Sequence, residues 1–350
     1  MENKTLEKNR EDGGLTFQQK VWTVCGITAL FVALLWFFKV TFSVFLLILA
    51  GSLIALFFHG FAELIQRKLK LSAKASLLVS VISTFVIISL LLWFMGARIQ
   101  NQIADLAQTL PLTINTAKVQ LGKTTLGQKI LEKTSSEEVS NKVYSFGSNF
   151  FNSTFGAFGD IYVVLFLGIF FTFSPKTYIN GFFSLMPPQA KPGAKTTVDR
   201  VGFTLTKWLK GQIFAMFIIF TLTGIGLTVL GVPMAIALAL IAGILNFIPN
   251  FGPLIAMIPA VLIALTQGVN KGIIVAVMYI LIQILESNII TPSIQKKLIN
   301  IPPAVTILAQ LFMGILTGGW GLVLATPLVA IVMVVVQETY IKKISQEQKD

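Results

Sequence analysis

Cysteine, histidine and charge are all scarce in this chain of 350 residues. A lone cysteine, Cys25, excludes a disulfide framework, and with a single histidine, His59, no Cys/His metal cluster can be assembled. Charged residues make up 12% of the sequence, where an ordinary soluble domain carries about 25%. Hydrophobic types reach 55% and the mean hydropathy is +0.80. These shortages exclude a secreted disulfide scaffold, a disordered chain and a typical cytosolic enzyme, and they leave lipid as the solvent.

The charge that is present leans basic, with 27 Lys and Arg against 15 Asp and Glu. It does not form a patch interleaved with aromatics, and Phe supplies 29 of the aromatic residues, so nucleic acid is not an expected partner. The positives sit instead in short polar gaps between apolar runs. A helix crossing hydrocarbon needs about 20 such residues. The candidate crossings are 21–38, 40–58, 75–97, 155–173, 212–230, 234–267, 272–290 and 304–336. The expected fold is therefore all-α: a polytopic integral membrane protein of about eight transmembrane helices. No cleavable leader is read at the start, because the first run lacks a small-residue cleavage site and a second run follows it directly.

Orientation follows from Lys and Arg. The N-terminal arm (1–20), the gap after 58, the gap after 173 and the tail (339–350) together hold seventeen of the 27 positives. Placing them in the cytoplasm puts both termini inside and 98–153 outside. The organisation predicted is an arm at 1–20, membrane helices at 21–97, an external segment at 98–153, a helix and basic loop at 154–211, a transport core at 212–338 and a tail at 339–350. Within the external segment, Ile99, Ile103, Leu106 and Leu110 share one helical stripe, and Val139, Val143, Phe146 and Phe150 share another. Such amphipathic helices suit packing on the bilayer, gating, or contact between subunits of a homo-oligomer. Lys123-Thr124 within 117–124 imitates a phosphate-binding loop, but no strand precedes it, so nucleotide binding is not expected.

Two stretches, 234–267 and 304–336, are too long for one upright crossing, and each is interrupted near its middle. Asn246-Phe-Ile-Pro249-Asn250-Phe-Gly252-Pro253 breaks the first, and Thr317-Gly318-Gly-Trp-Gly321 the second. Each is either one tilted, broken helix or a re-entrant hairpin of two half-helices, with hairpins preferred because they place Lys296 and Lys297 in the cytoplasm. The stretches also match each other, Pro233, Gly243, Gly252 and Pro259 answering Pro303, Gly314, Gly321 and Pro327. Breaks at membrane depth free backbone groups that protein or water must satisfy, and they are the best sequence pointer to a transport site.

Glu286 is the one charged residue between Gly272 and Ile290, flanked by Gln283 and Asn288. A carboxylate at mid-membrane costs about 2.5–3.5 kcal/mol and faces a partner or a cavity. It is either the titrating or cation-binding group of a pathway, or a helix-end acid bonded to a neighbouring helix. Asn246, Asn250 and Gln310 are expected to add carbonyl and amide groups to the same wet passage. His59 and Glu63 share a helix face, where a proton relay and an interfacial cap are the two readings.

Four motifs occur in order: Leu209-Lys210-Gly211-Gln212; Gly243-x-x-Asn246-x-Ile248-Pro249-x-x-Gly252-Pro253; Glu286-x-Asn288-x-x-x-Pro292; and Gly318-x-x-Gly321-x-x-x-Ala325-x-Pro327. Together they resemble the autoinducer-2 exporter family of bacterial membrane permeases. The resemblance implies an inner-membrane permease that exports small solutes and, in some members, exchanges Na⁺ or Li⁺ for H⁺. Asn250 stands where Tyr is common in the family, and Ser287 where Gly is.

The function expected is secondary transport of a small polar solute or monovalent cation, with no cofactor. The pathway residues would be Glu286, Asn288, Asn246, Pro249, Asn250, Gly252, Pro253, Gln283, Gln310, Gly318 and Gly321. The alternatives are an oligomeric channel without coupled transport, and a membrane scaffold. An intramembrane enzyme is not expected, because no span carries paired Asp, HExxH or Gly-x-Ser-x-Gly.

Overall fold

The computed structural model describes residues 17–91, 93, 159–293 and 302–342. Every regular element among them is helical. The N-terminal arm to residue 16, the external segment with its two stripes and the 117–124 motif, and Lys296 and Lys297 lie outside the described residues. The chain divides into two compact units, 1–45 and 46–350.

Helix α1 (Phe17–Leu69) contains both of the first two candidate crossings. Only Lys39 separates the two apolar runs and no proline interrupts them, so nothing reverses the chain there. In the first unit, Trp22, Phe31 and Trp36 are exposed, as is Cys25. The second unit begins within α1 and continues with α2 (Ala73–Leu91), whose first turn is capped by Ser72 Oγ accepting the Ala75 N–H at 3.3 Å. Helices α3 (Gly159–Phe173) and α4 (Pro175–Ser184) are bent by 92° about Ser174, where proline removes a helical hydrogen bond. Then come α5 (Lys191–Val229), α6 (Ala235–Leu245), α7 (Gly252–Leu265) and α8 (Val269–Leu285), the last running into a π-helical turn at Glu286–Ile290. Finally α9 (Pro303–Thr317) meets α10 (Gly319–Val336), which ends in a second π-helical turn, Gln337–Ile341.

Among the described residues, five helical segments are long and apolar enough to cross a bilayer: Thr41–Leu69, α2, α5, α8 with its extension to Ser293, and α10 with its π turn. The bent α3–α4 pair adds a sixth. Their outer faces carry bare apolar side chains, with Phe217 63%, Leu281 60% and Val229 80% exposed, a surface stable against lipid and not against water. This is a multi-pass membrane protein.

Both long stretches fold as hairpins. At about 1.5 Å per residue, α6 and α7 are only about 17 and 21 Å long, too short to cross singly. The chain turns back between them so tightly that a Cβ on Gly252 would run into the Leu245 carbonyl. Likewise a Cβ on Gly321 would strike the Met313 carbonyl, after a reversal at Gly318 with φ +68°. The second hairpin differs in that its α10 limb extends into a full crossing. The base of the first hairpin is tied to the end of α5, Gln267 Nε2 donating to the Gly231 carbonyl at 3.1 Å. The α10 limb of the second ends at the opposite part of α5, where Glu338 lies 3.9 Å from Arg200. The hairpins thus enter from opposite ends of α5 and overlap at their tips.

In lipid, helices associate by close packing rather than by exclusion from water. Accordingly Gly51 and Gly168 let α1 and α3 approach until an added Cβ would lie 2.8 Å from Leu167 Cβ and 2.6 Å from Ile54 Cγ2, respectively. Alanines Ala242, Ala256, Ala260 and Ala264 do the same service for the first hairpin, packing with Ile219, Leu227, Val275 and Tyr279.

Candidate functional site

The tip of the first hairpin, 246–251, is where the site is assembled. Ending α6 at Leu245 and starting α7 at Gly252 leaves carbonyls without helical partners. Two glutamines from neighbouring helices take them. Gln212 on α5 donates to the Asn246 carbonyl at 2.6 Å, and Gln310 on α9 donates to the Pro249 carbonyl at 2.9 Å. Phe247 packs edge-on against Trp208, with centroids 5.7 Å apart. Asn250 adopts φ +69°, a left-handed conformation that Asn tolerates better than most residues, and so makes the turn possible.

Glu286 faces this tip from the start of the π-helical turn in α8 and is 2% exposed. With its amide NH₂ turned toward the carboxylate, Asn246 donates to Oε1 at 2.6 Å and to Oε2 at 3.3 Å. A chain of contacts therefore runs from Gln212 through Asn246 to Glu286. An amide is suited to this place because it holds either charge state: its NH₂ donates to a carboxylate, and after a half-turn its oxygen accepts from a protonated acid. A π-helical turn inside a span, with the Thr291 N–H reaching the Glu286 carbonyl, is a local irregularity that recurs at functional sites.

Of the expected residues, Glu286, Asn246, Pro249, Gly252, Pro253 and Gln310 are buried together at this tip. Gln283 is half-buried one turn earlier on α8 and bonds Ser287 at 3.2 Å. Asn288 is not brought in. It is exposed and donates to the Ile284 carbonyl at 2.8 Å, because two residues' separation on a helix points it away from Glu286. Gly321 is buried and Gly318 exposed at the second tip. At the first break, the side-chain amides of Gln212 and Gln310 bond two of the backbone carbonyls that the interrupted helices leave over.

His59 does not bond Glu63. Its Nδ1 lies 2.9 Å from the Ala55 carbonyl, whereas Glu63 pairs with Arg67 at 2.7 Å. Both line a cavity of about 490 Å³ with Lys74, Thr172 and Thr206.

Several polar groups were not singled out as site residues from the sequence. Gln212 is the partner of the tip, and the buried hydroxyls of Tyr279 and Thr223 have no hydrogen-bond partner among the described residues. Asp160, the second residue of α3, accepts the Trp320 indole N–H at 2.8 Å and so anchors the second tip to α3. An acid inside the 155–173 apolar run was the available signal for that pair. Among the described residues, no group of three or more His, Cys, Asp and Glu is placed to hold a metal ion.

The sequence profile described as AI-2E family transporter matches residues 26–341. The chain belongs to the AI-2E transporter family. Among its relatives, YrrI of Bacillus subtilis (strain 168), designated a transport protein, is 29% identical over 150 residues, 43% of this chain and 42% of that protein. PerM of Escherichia coli (strain K12), designated a permease, is 31% identical over 191 residues, 53% of this chain and 54% of that protein. The chain thus aligns with about half of the length of these relatives. In this AI-2E family member, the two hairpin tips and Glu286 lie inside the matched region.

Proposed function

We propose that this AI-2E family member is a secondary transporter of the prokaryotic inner membrane, working as an exporter of a small polar solute or as an antiporter that exchanges Na⁺ or Li⁺ for H⁺. The observation that carries the reading is the buried Glu286, held by Asn246 at the tip of a re-entrant hairpin. A carboxylate held by an amide inside a span is a group that binds a cation or a proton. The amide that serves either charge state lets the site load and unload without being dismantled. Alternating access would come from movement of one hairpin against the other, since they enter from opposite ends of α5. In this reading the basic segments after Leu69 and Ser184 face the cytoplasm, as does the C-terminal tail on the same charge argument.

Purified protein in sealed vesicles with an internal pH dye tests the coupling. On an imposed outward Na⁺ or Li⁺ gradient, antiport moves protons inward and acidifies the lumen; solute export instead gives counterflow of a preloaded solute. Single-channel current steps without counter-transport would contradict the proposal and favour an uncoupled pore.

A further inference from the structure

Where the two hairpin tips meet α1, α3 and α5, the second unit holds a separate open cavity of about 380 Å³, within the size range of small-molecule sites. Its walls are apolar throughout. Three rings face it, Phe57 from α1, Phe247 from the first tip and Trp320 from the second. Ile161 and Ile213 also line it and are themselves exposed, so the cavity reaches the lipid-facing surface of the helices. It does not include Glu286, Asn246 or Gln310.

At its rim stands a carboxylate. Asp160 precedes Ile161 of the wall, and its Oδ2 accepts the Trp320 indole N–H. The carboxylate is half-buried, and no Lys or Arg among the described residues pairs with it. An apolar chamber with aromatic faces binds a flat apolar body; a nearby indole and carboxylate select a positive charge on it. Drawing the indole N–H toward a carboxylate also enriches the ring face, which strengthens its pull on a cation. We propose that this cavity is a binding site for a lipophilic organic monocation, taken up from the bilayer, with Trp320 and Asp160 recognising the charge and Phe57 and Phe247 the apolar body. Because the ligand would touch both tips at once, its occupancy links the two hairpins independently of Glu286.

The test is equilibrium binding of the fluorescent cation 4-[4-(dimethylamino)styryl]-1-methylpyridinium to full-length protein in zwitterionic phosphatidylcholine nanodiscs. The comparison ligand is the neutral pyridine that lacks the methyl group, at a pH above its own pKa. The cation is expected to bind saturably and at least about tenfold more tightly than the neutral compound, a difference of about 1.4 kcal/mol. Asp160→Asn, which keeps an acceptor for Trp320, should weaken the cation about tenfold and leave the neutral compound unchanged. Ile213→Trp, which narrows the chamber, should weaken binding of both. Equal affinity of the native protein for cation and neutral analogue would overturn the proposal without recourse to any variant, as would unchanged cation affinity in a folded Asp160→Asn protein. Neither readout involves flux, so failure here is separate from failure of the transport reading.

Discussion

Gln310 donates its side-chain amide to the carbonyl of Pro249, sixty-one residues earlier, at 2.9 Å. One hydrogen bond thereby joins the first limb of the second hairpin to the broken tip of the first. Both groups are buried, and Gln310 is 0% exposed. Replacing it by Leu, of similar volume, removes the donor and strands the carbonyl. Such a change costs about 1–3 kcal/mol. The detergent-purified Gln310→Leu protein is expected to melt several degrees below the native one. Unchanged melting would mean that the tip carbonyl finds another partner.

The tight reversals make a second prediction. Gly252→Ala and Gly321→Ala each place a methyl group against a backbone carbonyl, which cannot move aside as a side-chain end can. Overpacking of this kind costs about 1–3 kcal/mol or more, and both variants should give little folded protein by size-exclusion chromatography. Gly202→Ala on α5 is the control, since nothing lies within 4 Å of the added atom. It should fold normally, with a gain of about 0.5–1 kcal/mol from helix propensity.

A re-entrant first hairpin returns to the side it left. Thr228, near the end of α5, and Thr266, after α7, are both exposed and should face the same side of the membrane. In a Cys25→Ser background, Thr228→Cys and Thr266→Cys are expected to react with an impermeant maleimide from outside intact cells. Thr196→Cys, near the start of α5, should react only after permeabilisation. Labelling of Thr228→Cys and Thr266→Cys from opposite sides would show a crossing in place of a hairpin.

The Asp160–Trp320 bond anchors the second tip to α3. Trp320→Phe keeps an aromatic ring, though a smaller one, and removes the donor, leaving a half-buried carboxylate without this partner. Hydrogen bonds to charged groups contribute about 1.5–3 kcal/mol, and partial exposure of Asp160 places the expected loss at the lower end. Melting temperature reads it, and a Trp320→Phe protein as stable as the native one would make the contact incidental.

The breaks at Asn246–Pro253 and Thr317–Gly321 were legible in the sequence because proline and glycine act on the backbone locally, whatever surrounds them. Glu286 was legible for a similar reason: an acid in an apolar run stands out by composition alone. What closes the breaks was not. Gln212 and Gln310 reach their carbonyls from other helices, and 34 or 61 residues of separation leave no local pattern. Asn288 was drawn in by its nearness to Glu286 along the chain, whereas two residues on a helix lie on opposed faces. The apolar runs 21–38 and 40–58, divided in the sequence by Lys39, lie within the one helix α1.

The central claim, that Glu286 is the group through which transport couples to an ion, is tested most directly by proton flux in sealed proteoliposomes bearing Glu286→Gln. Glutamine keeps the volume and a hydrogen-bonding carbonyl for Asn246 but neither titrates nor carries charge. The account predicts a folded variant whose Na⁺- or Li⁺-driven proton movement falls to the level of empty vesicles and whose residual solute flux no longer varies with pH. Native flux with native pH dependence in that variant would contradict it.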